Sequence, residues 1–200
     1  MSLVAHGKRR IERSAIGDDE HVDSHRGKLL IAGADLFDPN FRRAILLIAD
    51  HDEEGAVGVI LNRPSDVTVE EAAPELGHLV GPDEALYLGG PVQPRAAVVV
   101  AEFDDPGRAS LLAFGSVGFL TAGAPESMDG IRRARVFAGY AGWGPGQLDA
   151  EMEQGSWLTE DALADDVFSS EPEQLWTTVV RRKGHAFQLL TTMPFDPSTN

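Results

Sequence analysis

The chain has 200 residues, 42% of them hydrophobic and 24% charged, which suits one domain whose core needs neither disulfide nor metal. Cysteine is absent, so disulfides, thiolate catalysis, iron–sulfur clusters and cysteine-based zinc sites are excluded. Net charge is −15, and beyond residue 26 the balance is 12 basic against 27 acidic side chains, a field that repels a phosphate backbone.

Residues 1–26 are polar, balanced in charge and without sustained periodicity, and read as a disordered leader ahead of a single domain over 27–200. His21 and His25 could chelate a metal weakly there, but a solvated tail is the plainer reading. No apolar run approaches the roughly 18–20 residues of a membrane span, and no apolar signal core follows the first charges. A cytoplasmic protein without membrane contact is the expectation.

Leu29–Ala32 reads as a short buried strand, and Asp38-Pro39-Asn40 as a turn. Ala44–Ala49 is continuously apolar, so both of its faces should be covered. Asp52-Glu53-Glu54-Gly55 then turns the chain back into Val57–Asn62, an antiparallel hairpin with a four-residue loop. Thr68-Val69-Glu70-Glu71 carries a capping-box pattern, starting a short helix to about Leu76. Ala85–Leu88 and Ala96–Val100 read as strands on either side of Gly89-Gly90-Pro91-Val92. Residues 109–121 and Arg135–Tyr140 follow as strands. A helix is expected from Pro145 to Gly155, with Leu148 and Met152 on one face. Ser170-Glu171-Pro172-Glu173 reads as a second capping box, before an apolar helical stripe of Leu175, Trp176, Val179 and Val180. Phe187–Leu190 is a last strand. Strands outnumber helices and no βαβ alternation occurs, so the fold class is α/β (α+β): a mixed, partly antiparallel sheet with peripheral helices.

Few motifs carry chemistry. Gly142-Trp143-Gly144-Pro145-Gly146-Gln147 has the setting of a dinucleotide fingerprint, but Gln147 replaces its last glycine, and a glycine turn before a helix explains it better. Asp50–Gly55 opens like a calcium loop, yet the twelfth position is Leu61, not Glu. No nucleophile elbow, phosphate loop or zinc-protease motif occurs. Arg132-Arg133-Ala134-Arg135 reads as a strand edge and Arg181-Arg182-Lys183 as a helix end, not as a nucleic-acid stripe. The residues call for no cofactor and no metal.

The ordered string Asp38-Pro39-Asn40-Phe41, His51-Asp52-Glu53-Glu54-Gly55-Ala56, Asn62-Arg63-Pro64, Gly89-Gly90-Pro91-Val92, Phe137 to Leu148 and Gly155-Ser156-Trp157 resembles the AlgH/YqgE family, bacterial proteins of unassigned biochemical function. Two departures are Gly33-Ala34-Asp35, where members more often carry a proline, and Asp149, where Glu is usual. The resemblance implies a bifurcated, partly barrel-like sheet surrounded by helices. It supplies no catalytic residues. The family name reflects a proposed role in regulating alginate production. Without a helix-turn-helix, and with this charge, any such effect here would be indirect.

Glycine turns and polar groups at strand ends suggest a groove walled by Tyr140 and Trp143, with His51, Asn62, Arg63, Gly89, Gly90 and Gln147 beside it. The expected function is non-enzymatic: binding of a partner protein or small ligand in that groove. The alternative is an enzyme with His51 as acid or base and Arg63 or Asn62 holding an anionic substrate. A direct DNA-binding regulator is disfavoured by charge.

Overall fold

One long strand organises the molecule. In the computed structural model, which describes residues 2–3, 24–33, 36, 38–120, 128–184 and 187, it is β10 (Ile131–Trp143). The other strands are β1 (Ser2–Leu3), β2 (Lys28–Ala32), β3 (Ile45–Asp52), β4 (Gly55–Ile60), β5 (Pro64–Thr68), β6 (Ala85–Leu88), β7 (Val92–Phe103), β8 (Leu111–Phe114), β9 (Val117–Leu120) and β11 (Trp157–Asp161). Helices are short: α1 (Val69–Ala72), α2 (Gln147–Glu153), α3 (Ala164–Val167) and α4 (Leu175–Lys183).

The sheet runs β11-β2-β3-β4-β10-β7-β9-β8, and it branches. The first part of β10 pairs antiparallel with β7, while Phe137 and Ala138 also pair in parallel with Tyr87 and Leu88 of β6. Its last three residues switch partner, to Ala56–Gly58 of β4. The switch occurs at a bulge between Ala138 and Tyr140, where Gly139 has φ +70°. Ser2 and Leu3 of β1 lie parallel to Ala96 and Ala97 of β7, and β5 pairs with β6. The architecture is therefore α/β, mostly antiparallel and bifurcated. Its expected barrel-like part is a curl: the path ends in β11 on one side and β8 on the other, with no ladder joining them among the described residues.

Two strands are covered on both faces, as their unbroken apolar runs require. Leu29, Ile31, Ile45, Leu47 and Ala49 face the inner cluster with Val100, Phe119, Phe137 and the apolar stripe of α4. The alternate residues Leu30, Ala32, Ala44, Leu46 and Ile48 face an outer cluster with Trp143, Leu148 and Trp157. A third cluster places Val69, Leu76 and Leu79 under the other face of β7 and β10.

Local expectations hold at several points and change at others. Thr68 Oγ1 accepts from the Glu71 N–H while Glu71 Oε2 accepts from the Thr68 N–H, completing the capping box. The helix ends at Ala72, and Pro74–Leu79 continues as a 3₁₀ turn because Pro74 cannot donate to the helix ladder. The β3–β4 turn is tighter than four residues: Asp52 pairs with Gly55, and Asp52 Oδ1 accepts from the Glu54 N–H. Pro145 lies outside α2, whose cap is Gly146. The second capping box is not formed: Glu171 caps a 3₁₀ turn without a side-chain bond, and its own N–H goes to Ser169 Oγ. Strand 109–121 is a hairpin, β8 and β9, turning at Gly115-Ser116. Most of the leader over 1–26 and of the strand over Phe187–Leu190 lies outside the described residues.

Gly89 is spliced between the two halves. Its N–H donates to Ala138 O and its carbonyl accepts from the Ile60 N–H. The backbones touch here: a Cβ at Gly89 would meet Gly139 O at 2.3 Å, and one at Gly90 would meet the Tyr140 carbonyl at 2.3 Å, with φ +151° at Gly90. Gly90→Ala is expected to cost at least about 3 kcal/mol in chemical denaturation. Gly155→Ala has φ +76° but open space around the new methyl, and should cost only about 1 kcal/mol. Equal losses in the two variants would remove the crossing as a determinant of stability.

Hydrogen bonds from Thr68 hold the Glu71 carboxyl below the usual carboxylate range. A depressed folded-state pKa contributes stability above the unfolded pKa and loses it as pH falls through the folded value. Chemical-shift titration should show the first turn of α1 fraying only when the Glu71 carboxylate protonates, below the usual Glu midpoint.

Candidate functional site

The eight residues expected to form one groove occupy four places. His51, at the end of β3, is buried, with only 5% of its surface exposed. Its Nδ1 accepts from the His25 backbone N–H at 3.2 Å, its carbonyl accepts from Ser24 Oγ at 3.0 Å, and the His25 ring stacks on it at 5.2 Å. A lone pair at Nδ1 puts the neutral ring's proton on Nε2, which faces Asp149 Oδ2 at 3.6 Å. His25, His51 and Asp149 carry metal-ligand groups within 4.8 Å of one another. A metal on Nε2 would displace that proton and force Nδ1 to give up its backbone donor. The trio reads as a tie that fastens the incoming chain and α2 to the tip of the hairpin.

Asn62 and Arg63 stand at the other end of the same hairpin. Asn62 Oδ1 accepts from the Ile45 N–H and its Nδ2 donates to Arg43 O, so both ends of its amide help to fix the loop before β3. Arg63 Nη2 donates to Arg42 O at 2.6 Å. Burial pulls the Arg63 pKa down from its ordinary value. Ile45 and His51 are separated by six strand positions, about 20 Å at the usual strand rise. One catalytic centre using His51 together with Arg63 or Asn62 is therefore not assembled.

Trp143 and Gln147 belong to a third place. The Trp143 and Trp157 indoles meet edge to face at 6.0 Å, and Phe41 packs on both, at 6.4 and 5.7 Å. Glu151 Oε2 accepts from both indole N–H groups, at 2.9 and 2.7 Å. Gln147 donates to Glu151 Oε1, and its own Oε1 accepts from the Gly144 N–H. That bond occupies the donor a nucleotide phosphate would need at the Gly144–Gly146 turn. Trp143 is 7% exposed.

Tyr140 packs on the opposite side, against the inner cluster. It lines a half-enclosed hollow of about 170 Å³ in the curl of the sheet. The other walls are Ala49, Asp50, Val57, Gly58 and Val59 from β3 and β4, Ala97 and Val98 from β7, and Leu111, Phe119 and Leu120 from β8 and β9. Among the described residues, Asp50 and Tyr140 are its only polar side chains. The expected strand stops at Tyr140, but β10 runs on to Trp143, and an odd separation along a strand places two side chains on opposite faces. The two rings share no hollow. Gly89 and Gly90 contribute backbone packing, as described above.

Residues 29–188 match the model of the AlgH-like family. The chain belongs to the AlgH-like family. It is 41% identical over 189 residues to a UPF0301 protein of Streptomyces avermitilis, covering 90% of this chain and 97% of that one. It is 40% identical over 184 residues to a UPF0301 protein of Chlorobaculum tepidum, covering 87% and 95%. Among solved structures it resembles protein DIP2367 of Corynebacterium diphtheriae, with TM-score 0.77, 31% identity and coverage of 92% and 95%. It also resembles the AlgH protein of Pseudomonas aeruginosa, with TM-score 0.65, 28% identity and coverage of 89% and 98%.

In this AlgH-like chain three of the segments that carried the resemblance converge. Phe41 from the first turn, Trp143 and Gln147 from the glycine-rich stretch and Trp157 from Gly155-Ser156-Trp157 all meet around Glu151. Glu151 went unnoticed in the sequence. Its signal was spacing alone, four residues after Gln147 on the same helix face. Arg42 and Arg43 were also missed, and His25 and Asp50 were read only as part of a tail and of a hairpin turn, because nothing local links any of them to their partners.

Trp143→Ala should act on stability, costing about 3–5 kcal/mol. Glu151→Ala leaves two buried indole N–H groups without their acceptor and should cost about 2–4 kcal/mol. If the glutamate orients the rings, Glu151→Gln should recover part of the loss, and near-ultraviolet circular dichroism of the indoles should track it. An unchanged melting curve for Glu151→Ala would remove the clamp.

Proposed function

We propose that this AlgH-like protein is a non-enzymatic binding protein of the cytoplasm, and that a small, largely apolar molecule is its ligand at the hollow beside Tyr140. The observation that supports this is the wall itself: apolar side chains from five strands, with one phenol and one carboxylate at hand. That is the usual anatomy of a small-molecule site, where apolar area supplies affinity and a few polar groups set orientation. A dry apolar void of about 150 Å³ suffices for one aromatic ring.

Two features favour binding over catalysis. Both ring nitrogens of His51 are directed at groups of the protein itself. Asp50 Oδ1 accepts from the His51 backbone N–H, so that oxygen is already partnered. Among the described residues no helix is long and apolar enough to cross a membrane, and the lack of cysteine suits a reducing compartment. Any regulatory effect would then pass through the ligand-bound state and not through DNA contact.

Titration with a single-ring apolar probe such as toluene, followed by NMR, tests the reading. The protein should bind it, and Val98→Phe, which fills the hollow, should weaken binding at least tenfold while leaving the melting temperature level or higher. Undiminished probe binding by Val98→Phe would place the ligand elsewhere or nowhere.

A further inference from the structure

We infer that the arginine-lined hollow at the base of the β3–β4 hairpin is a binding site for a small soluble polyanion, one bearing phosphoryl or several carboxylate groups. This site is separate from the apolar hollow beside Tyr140. Its volume is about 250 Å³, and among the described residues its wall brings Arg42, Arg43 and Arg63 together with one carboxylate, Glu173.

Two of the arginines are held in place. Arg63 follows directly on Asn62, whose amide is bonded at both ends, and its Nη2 is held by Arg42 O. The remaining N–H groups of its half-buried fork have lost part of their water and gain most from an anionic acceptor. Arg43 lies over the ring of Trp176 at 5.1 Å, and its backbone is held at φ +51°, a left-handed conformation unfavourable to arginine. The Asn62 bond to Arg43 O offsets that strain. Such prior ordering reduces the entropy lost when a ligand is gripped. A planar fork matches carboxylate and phosphoryl oxygens alike, so both classes are included. The half-enclosed shape and the surrounding negative field favour a compact solute over a polynucleotide.

Isothermal titration of the full chain with inorganic pyrophosphate and with citrate at low salt decides the matter. At least one should bind with Kd below about 1 mM. Arg63→Gln should weaken binding at least tenfold, and Arg95→Gln, on exposed β7, should leave it unchanged. Because Arg63 also supports the backbone, Glu173→Gln serves as a second variant: it removes a repelling charge from an exposed turn and should tighten binding several-fold. A merely structural arginine cluster would not show that gain. Saturation by neither anion, no change in Glu173→Gln, or tighter binding of a short single-stranded DNA than of either small anion would overturn the inference.

Discussion

The structure depends on a close crossing of two backbones. Gly89-Gly90 passes against Gly139-Tyr140 at a separation that leaves no room for a Cβ, and the hydrogen bonds of Gly89 join Ile60 of one half to Ala138 of the other. A strand can serve two sheets only if its backbone turns sharply and its neighbour comes unusually near. Glycine meets both demands, since it tolerates positive φ and presents no side chain. Because the crossing exists, β10 pairs with β7 along most of its length and with β4 at its end. The sheet therefore curls, and the curl encloses the hollow beside Tyr140.

The same bend sets which side chains meet. After the bulge, Trp143 faces outward to Trp157 and Phe41, while Tyr140 faces the inner cluster. Glu151 then satisfies both indoles from a helix only seven residues long, so α2 is held to the sheet mainly by side chains. At the two ends of the β3–β4 hairpin the polar residues do different work. His51 fastens chain segments at the tip, with its nitrogens turned inward, and Asn62 fixes the loop that presents the arginines at the base. Several other basic residues are paired with acids within the chain. Arg133 reaches Glu102 and Asp165, and Arg182 grips Asp166 with both of its terminal nitrogens.

The amino-acid sequence alone determined the fold class, the family, the buried double-faced strands and the first capping box. Each rests on a pattern read over a few neighbouring residues: the unbroken apolar runs of β2 and β3, Thr68 three places before Glu71, or motifs in a fixed order. Only the tertiary structure decided which residues share a site. Tyr140 and Trp143 are three apart in sequence and belong to different clusters, while Arg63, Arg43 and Glu173 come from separate segments and line one hollow. The physical reason is that strand pairing and bulges set the register between distant segments, and a shift of one residue moves a side chain to the other face of the sheet.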